Sequence, residues 1–114
     1  MIFYPNAKIN LGLSILRKRE DGFHDIESIF YPVPWKDMLE IVPQKTGSGV
    51  VNFSSSGIEI PSNGGLNLCE KVYNLLNNKH VLPSVRIHLH KQVPIGAGLG
   101  GGSADAAFTA VMLN

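Results

Sequence analysis

A single cysteine, Cys69, occurs in this 114-residue sequence. One thiol cannot form an intramolecular disulfide, and there is no cysteine cluster to hold zinc, which fits a reducing cytosol. Charge of one sign is also scarce: ten Lys and Arg stand against nine Asp and Glu, a formal net charge of +1. Without a run of Lys or Arg there is no dense cationic face to neutralise a row of phosphates, so nucleic acid is not expected as a partner. No apolar run approaches the ~18 residues of a membrane helix. Asn6, Lys8 and Asn10 interrupt the amino-terminal segment where a signal peptide would carry its apolar stretch. The expectation is a cytoplasmic protein with no membrane partner. Repeats and low-complexity linkers are missing too, and the length allows one compact domain. A hydrophobic share of 44% with 17% charged residues is too apolar for a disordered chain.

What is present is strongly patterned. From Ala7 to Lys18, Ile9, Leu11, Leu13 and Ile15 alternate with Lys8, Asn10, Gly12 and Ser14. This is strand periodicity, and it puts Lys8 and Asn10 together on the face opposite the apolar row. Arg19, Glu20, Asp21 and Gly22 make a turn, and His24 to Tyr31 returns as the second strand of a hairpin. Asp37 to Val42 and Val50 to Ser54 are shorter strands, separated by a flexible stretch with Gly47, Ser48 and Gly49. Asn67, with Glu70 three residues on, opens a helix in which Leu68, Val72, Leu75 and Leu76 recur at helical spacing. Ser84 to His90 alternates again, with Val85, Ile87 and Leu89 on one face and Arg86, His88 and His90 on the other. A last helix follows Ser103, with Ala104, Ala107, Phe108 and Val111 along one face. These elements predict an α+β fold, an antiparallel or mixed sheet with helices packed on one face. The final helix has no Gly or Pro stop and stays apolar to Leu113, so the sequence reads as a truncated amino-terminal portion whose carboxy-terminal domain is absent.

Five of the twelve glycines fall between Gly96 and Gly102, inside the segment PIGAGLGGGSADAA from Pro94 to Ala107. Glycines let backbone N–H groups turn toward a ligand without Cβ obstruction, and the helix they open adds about half a positive charge at its first turn. Phosphate oxygens suit such a place. Ser103 offers a hydroxyl at the helix entrance that could cap the helix, touch a phosphate or help position Mg²⁺. Gly96, Gly98 and Gly101 satisfy the dinucleotide pattern GxGxxG, but the preceding strand alternates, whereas strands of parallel sheets are apolar on both faces. Gly96, Gly101 and Ser103 fit the Walker spacing, but Gly102 stands where that loop needs lysine. A cation facing the phosphates therefore comes from elsewhere, and Lys8 or Lys91 could supply it.

The pattern PxxxGLGxxS from Pro94 to Ser103 resembles the phosphate-binding motif of the GHMP kinases, named for galactokinase, homoserine kinase, mevalonate kinase and phosphomevalonate kinase. The triple glycine with SADAA, PNAKINLGLSIL from Pro5 to Leu16, and DGFHDIESIF from Asp21 to Phe30 are together similar to the branch acting on 4-diphosphocytidyl-2-C-methyl-D-erythritol in non-mevalonate isoprenoid synthesis. The resemblance spans nearly the whole chain and implies a GHMP kinase amino-terminal domain. It implies ATP and Mg²⁺ as cofactors and a small-molecule cytidine diphosphate substrate phosphorylated on its 2-hydroxyl. ATP is then held by Pro94, Ile95, Gly96, Ala97, Gly98, Leu99, Gly100, Gly101, Gly102, Ser103 and Ala104. Lys8 matches the catalytic lysine, which works with an aspartate, Asn10 a neighbouring substrate position, and Phe23 and His24 the residues that stack on and hydrogen-bond the cytosine. Two positions depart from the family: Ala104 replaces a second serine, and Phe23 keeps the ring of a tyrosine without its hydroxyl.

Other readings of the residues stay beside this one. A lone lysine is usually a surface residue, and Phe23 with His24 fits packing at a hairpin corner. His88 and His90 share a strand face, but two imidazoles beside Arg86 read as a solvated face rather than a metal site. Cys69 reads as a small buried residue. Asp105 is expected to serve the first-turn dipole of its helix, and Asp21 and Asp25 flank the hairpin turn, leaving no partner aspartate for Lys8. The chain alone is accordingly expected to be inactive and to self-associate through uncovered apolar surface. Another GHMP small-molecule kinase and a non-catalytic nucleotide-binding domain are the alternatives.

Overall fold

The computed structural model describes residues 1–62 and 64–114. In chain order the elements are β1 (Ile2–Phe3), β2 (Asn6–Lys18), β3 (His24–Lys36), β4 (Met38–Ser48), β5 (Val51–Gly57), α1 (Leu68–Asn77), β6 (Pro83–Lys91) and α2 (Gly101–Leu113). Four strands form one sheet in the order β1-β4-β6-β5. β4 runs antiparallel to β1 and β6, whereas β5 and β6 are parallel. The sheet is mixed because α1 returns the chain from β5 to its neighbour β6, and parallel neighbours require such a crossover. Gly47 and Ser48, expected in a flexible link, form the end of β4.

Alternation along β4 and β6 buries one face of the sheet. Leu39, Ile41, Val85, Ile87 and Leu89 meet Cys69, Tyr73 and Met112 from the two helices in a single core. The other face carries His88 and His90, which hydrogen-bond Ser54 and Ser56 at 2.8 to 2.9 Å. It is a polar sheet face, and no group of three metal-ligating side chains occurs among the described residues.

α1 starts where the sequence says it should: Asn67 accepts from the Cys69 N–H, and the Glu70 carboxylate accepts from the Asn67 N–H, a closed capping box. Its buried face differs from the expected one. Cys69 and Tyr73 point into the core while Leu68 and Leu75 are exposed. The Tyr73 hydroxyl donates to the Pro83 carbonyl at 2.8 Å, which fixes the helix rotation against the start of β6. The face expected for α2 is also corrected. Gly101, Asp105, Thr109 and Met112 are buried, whereas Ala107 is exposed and Val111 is 69% exposed. Two of those four positions are polar, so the stripe is invisible to hydrophobic periodicity.

β2 and β3 form a long antiparallel hairpin beside the four-stranded sheet. Leu11 pairs with Ile29 but Leu13 pairs with Ser28, so β2 carries an extra residue at Gly12, whose φ of 75° is the left-handed value such a bulge needs. Ser28 Oγ donates to the Gly12 carbonyl at 2.6 Å and pins the bulge. The bulge reverses which face the β2 side chains occupy. Ile9 and Leu11 pair with Tyr31 and Ile29 on one face, while Leu13 and Ile15 pair with Ser28 and Ile26 on the face that holds Lys8, Asn10 and Phe30. The single apolar row expected from the sequence is thus split between the two faces.

Candidate active site

The hairpin base and the glycine loop are joined backbone to backbone. The Lys8 N–H donates to the Leu99 carbonyl at 2.8 Å, which lays Lys8 against the loop. Its Nζ donates to Asn10 Oδ1 at 3.1 Å and to the Gly98 carbonyl at 3.2 Å, and lies 5.0 Å from the centre of the Phe30 ring. Lys8 and Asn10 therefore share a face, as the alternation predicts. The lysine stem packs so closely on Gly100 that a Cβ there would lie 2.9 Å from Lys8 Cε. Gly100 also has φ 68° and serves as the N-cap of α2. Only glycine fits both demands.

Gly96 and Gly98 also adopt positive φ, whereas Gly101 and Gly102 already belong to α2. Ser103 is therefore the third helical residue, and no side chain caps this helix, so the capping role considered for it is excluded. The first turn is left with backbone N–H groups to offer a ligand.

Two clefts meet at this loop. One, about 370 Å³, is lined by the apolar residues Ile60, Leu66, Leu68 and Ile95, by Gly98 to Ser103 and, at its edge, by the largely buried Lys91. The second, about 600 Å³ and more open, is lined by Asn6, Lys8, Phe30, Gly98, Gly100, Ser103 and Ala104. Gly98, Gly100 and Ser103 border both. Of the loop residues expected to hold ATP, all but Ala97 and Ala104 line the first cleft, and Ala104 lines the second. Phe23 and His24 border neither: they sit at the hairpin turn, where Phe23 is 70% exposed and His24 pairs with Lys18. The Phe23 N–H donates to Asp21 Oδ1 at 3.0 Å, which sets the turn. Ile60, Leu66 and Leu68 were missed because nothing in their spacing marks a cleft wall. Phe30 was legible in principle, since it pairs with Asn10 across the hairpin and so shares the Lys8 face.

Lys91 is not available to a phosphate in the way Lys8 is. It is buried, and its Nζ donates to Asp37 Oδ2 at 2.7 Å and to Asp105 Oδ2 at 2.9 Å. Asp105 correspondingly does not serve the helix dipole; it is buried in this cluster, and its Oδ1 has no hydrogen-bond partner among the described residues. Burial works against ionisation of Asp37, but hydrogen bonds from Lys91 and from the Val93 and Gln92 N–H groups outweigh it and hold its pKa below the ordinary value. Burial pushes Asp105 up to about 7, with the facing Asp37 carboxylate adding to the rise and Lys91 only partly offsetting it. Burial alone would lower the pKa of Lys91, yet the two carboxylates raise it. Burial also pushes the Cys69 thiol up to about 11, in line with a packing role.

A raised carboxyl pKa makes the folded state bind a proton the unfolded chain has released. The contribution is full below the unfolded value near ~4 and fades as pH rises through 7, each unit of the rise being worth about 1.4 kcal/mol. Asp105→Asn, which cannot ionise, is therefore expected to gain melting temperature relative to the parent as pH goes from 5 to 8. Calorimetric scans across that range check it, and a difference independent of pH would show that Asp105 ionises normally.

Residues 67–114 match the family described as GHMP kinases N terminal domain. The fold is that of a GHMP kinase amino-terminal domain. Over the full chain, this domain is 61% identical to a protein of Cytophaga hutchinsonii and 51% identical to one of Bacteroides fragilis, both named 4-diphosphocytidyl-2-C-methyl-D-erythritol kinase. It covers 41% and 42% of their lengths. A crystal structure titled 4-(cytidine 5'-diphospho)-2C-methyl-D-erythritol kinase superposes on this chain with a TM-score of 0.76 at 36% identity, over 99% of this chain and 39% of that one. The α+β expectation and the family resemblance read from the motifs both hold.

Proposed function

We propose that this chain is the phosphate-holding domain of a kinase that transfers the γ-phosphoryl group of ATP to the 2-hydroxyl of 4-diphosphocytidyl-2-C-methyl-D-erythritol. One observation carries the reading: Gly98, Gly100 and Ser103 of a single glycine loop line both a cleft with several apolar residues and a second cleft that contains Lys8. A nucleotide base suits Ile60, Leu66 and Ile95, and its phosphates then run along Gly98 to Ser103 under the α2 N-terminus. The γ-phosphate reaches the loop edge beside Lys8, whose ammonium stabilises charge on the transferring group or on the acceptor oxygen. The Ser103 hydroxyl, exposed and bordering both clefts, is the chain's donor toward Mg²⁺. A nucleotide-borne Mg²⁺ would need few protein ligands, since phosphate oxygens and water would supply the rest.

The acceptor lies on the hairpin. β3 is unbulged from His24 to Tyr31, so His24, Ile26, Ser28 and Phe30 share a face, and pairing adds Lys8, Asn10, Leu13, Ile15 and Lys18 to it. That face is a track about 27 Å long from the lysine to the turn, counted along the eight steps of β3 from Pro32, the partner of Lys8, to His24. An elongated acceptor with its hydroxyl at Lys8 and its cytosine toward Phe23 and His24 follows this track, and the cytidyl relatives at 61% and 51% identity support that choice of acceptor.

ADP release by the full-length protein is expected with the cytidyl acceptor and not with mevalonate, homoserine or galactose. Phe23→Ala weakens cytidine ligands by ~1 to 3 kcal/mol through lost stacking and leaves ATP affinity unchanged. Equal loss of both ligands would signal misfolding, and unchanged cytidine affinity would point to another acceptor. ATP binding with no turnover on any acceptor would leave a nucleotide-binding module.

A further inference from the structure

The buried Lys91 cluster lies where the glycine loop begins and ends. Lys91 is the last residue of β6, Asp105 is in α2, and the loop runs between them. Asp37 precedes β4, where its N–H donates to the Pro5 carbonyl at 2.9 Å. One oxygen of Asp37 accepts from the Gln92 and Val93 N–H groups at 2.7 and 2.8 Å, gripping the loop entry. Its other oxygen takes the Lys91 ammonium, which also holds Asp105 on the loop exit. The same ammonium lies directly against the α2 N-terminus: a Cβ on Gly101 would stand 2.9 Å from Lys91 Nζ.

We infer that Asp37 and Asp105, acting through Lys91, are positioning residues that clamp the two ends of the glycine loop and so set its backbone N–H groups for the nucleotide phosphates. This rests on the kinase reading above. Stability alone is a weak reason for such a cluster, because desolvating three charged groups offsets most of their attraction, and apolar replacements of buried ion networks are often neutral or stabilising. Direct phosphate attraction is no better a reason. Two carboxylates around one ammonium give no net positive charge, and by bare electrostatics they repel an approaching anion. Geometry is what remains: charge-assisted bonds of fixed direction hold both ends of a loop whose three glycines, Gly96, Gly98 and Gly100, give it little stiffness of its own.

Positioning and bare electrostatics predict opposite signs for one substitution. At pH 8, where Asp105 is mostly ionised, Asp105→Ala removes a negative charge near the phosphate site, which by charge alone would tighten ATP binding. By the clamp it loosens α2 against the loop, and affinity for MgATP falls about tenfold. Adenosine, which reaches the base side of the cleft and not the loop, keeps its affinity within about twofold. Asp105→Asn retains one acceptor for Lys91 and shows a smaller loss of the same sign, about threefold, which covers the case in which the alanine variant fails to fold. Calorimetric titrations of MgATP and adenosine into the full-length protein and both variants read these ratios. ATP affinity that is unchanged or raised in the folded variants, or that falls in step with adenosine, overturns the clamp. Failure of the parent protein to bind MgATP overturns the nucleotide reading and the clamp together.

Discussion

Lys8→Met is expected to reduce phosphoryl transfer by ~10² to 10³ in kcat while MgATP affinity stays within about threefold. Methionine keeps the unbranched stem that packs on Gly100, and the backbone N–H that bonds the Leu99 carbonyl is untouched. What is lost is the ammonium, which in this structure is held by Asn10 Oδ1, the Gly98 carbonyl and the face of the Phe30 ring. Those partners place a compact positive charge at the loop edge, where negative charge develops during transfer. Lys8→Arg is not a rescue, because a broad planar guanidinium does not reproduce the compact ammonium held by Asn10 Oδ1, the Gly98 carbonyl and the Phe30 ring. Steady-state rates with both substrates varied separate the outcomes. Loss of ATP affinity with kcat unchanged would make Lys8 a nucleotide-binding residue and leave the chemistry without its cation.

Some of this site was legible in the sequence because its signals are local. The capping box of α1 lies within four residues, and the β6 alternation needs no partner strand to interpret. The proximity of Lys8 and Asn10 follows from a period of two. The bulge at Gly12 was not legible, since an extra residue shows only against the opposite strand, and it moved Leu13 and Ile15 to the Lys8 face. The helix faces failed for a different reason. Hydrophobicity alone ranks Leu68 and Leu75 above Cys69, but a tyrosine hydroxyl bond to the Pro83 carbonyl chooses the rotation of α1. In α2 a charged residue occupies the innermost stripe.

The Lys91 cluster marks the limit most clearly. Its carboxylates stand 14 and 54 residues from the lysine they share, and taken alone Lys91 reads as a candidate phosphate cation and Asp105 as a first-turn dipole residue. The only local hint is that Lys91 and Asp105 bracket a glycine-rich loop. Five glycines in that loop pointed to a close ligand, yet the structure divides them by purpose. Gly96, Gly98 and Gly100 turn the backbone, and Gly101 makes room for a buried ammonium. Gly102 has only Leu68 Cδ1 within reach of a Cβ, at 3.6 Å, an ordinary contact.

Gly101→Val follows from that division and carries the largest expected loss of nucleotide binding. The backbone at Gly101 is helical, so the substitution meets no conformational penalty of the kind Gly100 would impose. Its penalty is steric. The first added atom would stand 2.9 Å from Lys91 Nζ and 3.0 Å from Val93 Cγ1, both buried and neither free to swing into solvent. Overpacking of this kind costs ~1 to 3 kcal/mol in stability. It also drives the first turn of α2 away from the clamp that fixes it. MgATP affinity is expected to fall by two orders of magnitude or more, since the helix N-terminus and the loop N–H groups lose their common geometry. Cytidine ligands should bind as before, because Phe23 and His24 stand at the far end of the hairpin and touch neither cleft. Parallel titrations with MgATP and a cytidine diphosphate ligand test this, with a melting curve to confirm folding. Retained ATP affinity in a folded Gly101→Val protein would mean that the loop is a structural turn, and the phosphates would have to be sought elsewhere.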